Sequence, residues 1–109
     1  MWYNNFMYYV YMLRCKDNSI YTGYTPDLEG RMEEHFSGGP KGSKYVRSRG
    51  AEKLEAYWTT EEKSDAMKLE FRIKKHLTKA QKELLVKEPE KLETLLGEKL
   101  DCSKYQAGS

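Results

Sequence analysis

The chain is 109 residues long, 33% charged and 39% hydrophobic, the size and balance of one globular domain. A formal net charge of +2 is too small to mark a nucleic-acid binder by bulk electrostatics, and Met7 to Leu13 is too short an apolar run to span a bilayer. Charge is spread unevenly. Lys41, Lys44, Arg47 and Arg49 fall within nine residues that contain no acid, whereas Glu83, Glu88, Glu90, Glu93, Glu98 and Asp101 make the C-terminal part acidic. Cys15 and Cys102 lie far apart, with no CxxC and no secretory pattern, so two free thiols in a reducing, cytoplasmic setting are expected.

In chain order, residues 7–14 are aromatic and apolar on both alternations, which predicts a central strand covered on both faces. Lys16-Asp17-Asn18-Ser19 is turn chemistry, and Ile20 to Tyr24 completes a hairpin. Thr25-Pro26-Asp27 reads as a helix start, with a hydroxyl cap, proline in the first turn and then an acid. That helix should run to about Phe36, with Leu28, Met32 and Phe36 facing the sheet, and end at Ser37-Gly38-Gly39-Pro40. A basic, Gly- and Ser-rich loop then extends to Gly50. Leu54 to Thr59 reads as a third strand, and Ser64 caps a helix reaching about His76. Thr78 with Gln81 fits a capping box for another helix. Pro89 opens a last helix over 89–96, and Ser103 to Ser109 is expected to fray. The expected fold is α+β: a three-stranded antiparallel sheet flanked by helices, with additional C-terminal helices. Residues 1–86 form the main domain, and 87–109 a C-terminal helix and flexible tail.

Three features break this patterning. Arg31 and His35 sit one turn apart beside the apolar stripe of the first helix. They are either edge packing around a satisfied imidazole, or a phosphate-binding guanidinium beside an acid–base group. Glu70 falls inside the apolar row Ala66, Leu69, Ile73, Leu77. A buried glutamate needs a partner, here Arg14, Arg31 or Lys74, or else serves as a carboxylate ligand for a divalent metal. Five of the nine tyrosines lie between Tyr8 and Tyr24, and a hairpin can bring Tyr11 and Tyr21 to one end of the sheet.

Tyr9-Val10-Tyr11, nine residues, then Tyr21-Thr22-Gly23 resembles the paired motif of the GIY-YIG nuclease superfamily. Arg31, His35 and Glu70 are similar in order and spacing to its remaining site residues, over roughly residues 7–86. The resemblance is greatest to the small, single-domain bacterial branch. Tyr9 stands where the motif opens with glycine, and no asparagine follows Glu70, as one does in some members. The resemblance implies a metal-dependent endonuclease using Mg²⁺ or Mn²⁺. Tyr11 and Tyr21 would contact the scissile phosphate or attacking water, one of them as general base. Arg31 would steady the phosphorane, His35 relay a proton, and Glu70 hold the metal. A free phenol with a pKa of ~10 is scarcely ionised at neutral pH, so either tyrosine needs such help.

Substrate contacts are expected from Lys41, Lys44, Arg47 and Arg49, and from Lys68, Arg72 and Lys75, all of which can track a phosphate backbone. With no second recognition module visible, structure-selective or weakly selective cutting is expected, of DNA rather than RNA, in repair or processing. A protein partner could supply specificity. A non-catalytic nucleic-acid-binding domain, or a protein-interaction adaptor using the acidic C-terminal helices, are the rivals. Strand parity supplies one geometric expectation: Tyr11 and Tyr21 share a face only if the connection across residues 15–20 is odd in length or bulged.

Overall fold

A computed structural model describes residues 6–108. Four strands, β1 (Tyr8–Cys15), β2 (Ile20–Thr25), β3 (Ala51–Thr60) and β4 (Gln106–Ala107), form one antiparallel sheet in the order β2-β1-β3-β4. Five α-helices flank it: α1 (Leu28–Ser37), α2 (Lys44–Arg49), α3 (Lys63–His76), α4 (Lys79–Lys87) and α5 (Leu92–Leu96). The α+β architecture is as the sequence predicts, but the sheet has four strands, not three. The fourth comes from the segment expected to fray: Gln106 and Ala107 pair with Thr59 and Trp58, and Gly108 N donates to Tyr57 O at 2.9 Å. Tyr105 also donates its hydroxyl to Asp65 O at 2.7 Å, tying the tail to α3; Ser109 lies outside the described residues.

The doubly apolar run of β1 has the predicted cause. Val10 and Met12 enter one cluster with Ala56, Trp58, Leu69, Ile73, Leu85 and Leu92, beneath α3, α4 and α5. Tyr11, Leu13 and Cys15 enter a second with Val46, against α1 and α2. The hairpin turn is odd in length. Cys15 N donates to Ser19 O and Asn18 N to Cys15 O, both at 2.9 Å, leaving three residues in the connection. Asn18 takes the left-handed conformation at φ 73°, which asparagine tolerates better than most residues. Leu13 therefore pairs with Tyr21, and Tyr11 with Gly23.

Four local expectations change. Asp27, not Thr25, caps α1: its carboxylate accepts from Gly30 N at 3.1 Å, while Thr25 Oγ1 accepts from Asp27 N. Phe36 is 47% exposed, although Leu28 and Met32 pack against the sheet. At about 100° per residue an i, i+4, i+8 row drifts about 80° round the helix, whereas position 35 returns to within about 20° of Leu28. His35 is therefore the buried residue, at 2%. The basic loop contains α2, capped by Ser43 Oγ accepting from Val46 N. Glu62 rather than Ser64 precedes α3, and the Thr78–Gln81 capping box is present in full. No helix among the described residues is long and apolar enough to cross a membrane.

Candidate active site

Because side chains alternate along a strand, the Tyr11–Gly23 pairing places Tyr11 and Tyr21 on one face of the sheet. Their ring centroids are 6.2 Å apart. Gly23 makes room for this arrangement: a Cβ there would lie 2.6 Å from Tyr11 Oη and 3.1 Å from Tyr21 Cε2. Tyr11 can thus lay its phenol across the backbone of β2, the edge strand.

The buried turn of α1 delivers His35 to the same point. Tyr11 Oη and His35 Nε2 are 2.8 Å apart, and the imidazole stands edge-on to both tyrosine rings at 5.7 and 5.6 Å. Burial pushes the Tyr11 phenol up to about 12, a rise that nearby Arg31 opposes and Glu70 reinforces. Burial, followed by the charge of Arg31, brings His35 down to about 4. At neutral pH both groups are uncharged. Which of the two groups donates depends on the imidazole tautomer: with the ring proton on Nδ1, Tyr11 donates to Nε2. His35 Nδ1 has no hydrogen-bond partner among the described residues.

Arg31 lies one turn before His35. Its Nη1 donates to Glu34 Oε1 at 2.8 Å and to Lys41 O at 2.7 Å, so the loop after α1 holds it in place. Glu70 reaches the site from α3 with its side chain 23% exposed, and its partner is Lys74, at 3.5 Å. Lys74 Nζ also lies 5.4 Å from the centre of the Tyr21 ring. The structure thus brings Tyr11, Tyr21, Arg31, His35 and Glu70 into one neighbourhood.

The basic residues are more dispersed. Arg49 folds over the Tyr45 ring at 3.7 Å and pairs with Asp17 at 3.1 Å, and Arg47 donates to Pro40 O at 3.2 Å. Lys41 precedes α2 and Lys44 opens it, and both are exposed. Lys68, Arg72 and Lys75 belong to α3, where Arg72 approaches His76 at 3.4 Å. Two neighbours of the site escaped the sequence reading of function. Tyr45, 5.6 Å from Tyr21, was hidden because its segment reads as loop; Lys74 was visible only as an ion-pair partner four residues after Glu70.

Among the described residues no cluster of three or more His, Cys, Asp or Glu side chains can hold a metal. Glu70 is nonetheless a partly exposed carboxylate whose charge reaches Tyr11. Mg²⁺ is commonly held by one or two carboxylates, water and substrate phosphate. The site fits such an ion bound jointly with substrate.

The fold and this constellation define a nuclease-superfamily domain: the chain belongs to the GIY-YIG catalytic domain family, whose model matches residues 7–84. It is 49% identical over 79 residues to the UPF0213 protein BH0048 of Halalkalibacterium halodurans, covering 72% of this chain and 81% of that protein. It is 45% identical over 83 residues to the UPF0213 protein FN1575 of Fusobacterium nucleatum, covering 76% and 80%. The solution NMR structure of the UPF0213 protein BH0048 from Bacillus halodurans matches at 48% identity and a TM-score of 0.48, covering 74% of this chain and 83% of that one.

Proposed function

We propose that this chain is an endonuclease that hydrolyses nucleic-acid phosphodiester bonds with the help of Mg²⁺ or Mn²⁺. It is structure-selective or weakly selective, acts on DNA in preference to RNA, and serves repair or processing. The observation that carries this reading is the 2.8 Å contact between Tyr11 Oη and His35 Nε2, two neutral groups in hydrogen-bond contact. Transfer between them becomes favourable once the negative charge of a bound phosphate raises the imidazole pKa. As a water attacks phosphorus, Tyr11 Oη takes its proton and passes its own to Nε2. The departing 3′ oxygen is protonated from solvent. Tyr21, more exposed than Tyr11, donates to a phosphate oxygen. Arg31 exchanges Glu34 and the Lys41 carbonyl for the developing charge on the phosphorane. A metal held by Glu70 and substrate would neutralise charge at the scissile phosphate. Because Tyr11 is only 1% exposed, substrate must move part of the cover supplied by α1 and its loop.

The test is incubation with nicked, flapped and branched DNA, with and without Mg²⁺ or Mn²⁺. Tyr11→Phe should retain binding and lose at least ~100-fold in single-turnover rate, the lower end of what general acid–base groups contribute. Glu70→Gln should keep affinity and lose divalent-dependent product. Salt-sensitive binding by the wild type without any product would identify a non-catalytic binding domain instead.

A further inference from the structure

Beyond the catalytic neighbourhood, α3 and the C-terminal segment flank an open pocket of about 410 Å³. Lys68 and Arg72 come from α3, and Lys99 and Lys104 from the chain beyond α5. These four cations face two carboxylates that are already engaged. Asp65 is shared between Lys104 at 3.8 Å and Lys68 at 4.0 Å, and Asp101 accepts from Ser103 N and Oγ. The Tyr105–Asp65 hydrogen bond pins the C-terminal wall to α3. Lys99 and Lys104 lie outside residues 7–84 and within a stretch whose sequence reads as acidic.

The outer surface of α3 joins this pocket to the catalytic neighbourhood. Glu70 and Lys74 occupy one flank of the helix, and Lys68 and Arg72 the opposite flank. Between them, at the i, i+4 spacing, Met67 and Phe71 are 48% and 50% exposed, and the Arg72 guanidinium lies 5.7 Å from the Phe71 ring. Half the circumference of a helix about 10–12 Å across is about 17 Å, a span of a few nucleotides. An apolar ridge suits base faces, and a cationic hollow suits a backbone phosphate.

We propose that a nucleic-acid strand leaving the catalytic site crosses α3 over Met67 and Phe71 and seats a backbone phosphate among Lys68, Arg72, Lys99 and Lys104. This rests on the nuclease reading for its ligand, but it is a statement about binding and is tested without turnover. Binding of a fluorescein-labelled DNA oligonucleotide is followed by anisotropy in EDTA across a salt series, with the full chain and a Lys99→Gln, Lys104→Gln double variant. The double variant should bind several-fold more weakly, and its slope of log affinity against log salt should shrink by about 0.7 for each phosphate that is no longer neutralised. Lys99→Arg with Lys104→Arg should bind as the wild type, and matched melting temperatures show that the fold is intact. The resonances of His76, beside Arg72, should shift when the oligonucleotide binds. Inorganic phosphate alone is the second arm. A pocket that shifts His76 with phosphate, while the Gln variant binds DNA as tightly as the wild type, is a free-anion site and overturns the proposal. Binding without cleavage by the wild type sinks the nuclease reading alone. Cleavage by a chain whose Gln variant binds unchanged sinks this proposal alone. A wild type that does not bind DNA sinks both.

Discussion

At His35 two requirements conflict. Its Nδ1 is buried without a partner among the described residues, and an unsatisfied buried polar group costs about 1–3 kcal/mol. Its Nε2, by contrast, meets the Tyr11 hydroxyl at 2.8 Å. A group whose proton affinity falls on folding makes the folded state less tolerant of acid. The unfolded chain takes up a proton near the ordinary value of 6.5, whereas the folded chain resists until about 4. Stability should therefore be full above about pH 6.5, fall as pH drops to about 4, and then level off with respect to this group. A tenfold change in proton affinity is worth about 1.4 kcal/mol, so the limb amounts to a few kcal/mol. Glu83 acts lower on the scale: hydrogen bonding to Arg14 holds it down to about 2, and its contribution is lost between about 4.5 and 2. Urea denaturation at half-unit pH steps checks this, because His35→Gln should remove the upper limb and leave the lower one.

Between strands, parity decides chemistry. One residue more or fewer in the connection Lys16-Asp17-Asn18 would turn Tyr21 to the opposite face from Tyr11. Gly23 is the second element-level requirement. Gly23→Ala should push the Tyr11 phenol off His35, cost ~1 kcal/mol in overpacking and reduce turnover at least tenfold. A readout independent of activity is the His35 titration by NMR, which should move back toward 6.5 as its cover loosens. A His35 that still titrates near 4 in that variant would show that the phenol tolerates the methyl group. The turn was legible because Asn18 signals a left-handed position, and Arg31, His35 and Glu70 stood out as candidates because polar groups lie beside or within apolar rows. Other elements were not. Ser43 is an ordinary cap, but the surrounding Gly-rich sequence masks α2, a helix of only six residues. The tail carries no strand pattern at all. Its pairing depends on Tyr105 reaching Asp65, a long-range contact that no local sequence rule reveals. Asp65, 6% exposed, likewise reads as an ordinary first-turn acid until the tail covers it.

The whole molecule is drawn together across the sheet by Arg14. Its guanidinium donates to Glu83 Oε1 and Oε2 at 2.6 and 2.7 Å, to Glu55 at 2.9 Å and to Asn18 O at 3.1 Å, linking α4, β3 and the hairpin tip. Arg14→Ala should lower stability by about 2 kcal/mol, less than for a fully buried pair because Glu83 is 37% exposed. Arg14→Lys should recover only part of that loss, since an ammonium cannot reproduce the paired contact to Glu83. Equilibrium urea curves for the three proteins decide it; equal midpoints would show that the network contributes nothing net.

The two sides of the sheet are unequal in a way that bears on motion. Among the described residues, the α3–α4–α5 side holds eleven buried residues in its cluster and the α1–α2 side four. Regions with less apolar burial open at lower free energy, in cooperative pieces smaller than the whole. The α1–α2 layer, which carries His35 and the loop that holds Arg31, can therefore part from the sheet while β1 and α3 stay assembled. Hydrogen exchange should then run faster across α1 and its loop than in β1 and α3, which would leave Tyr11 and Glu70 as a fixed anvil beneath a looser jaw.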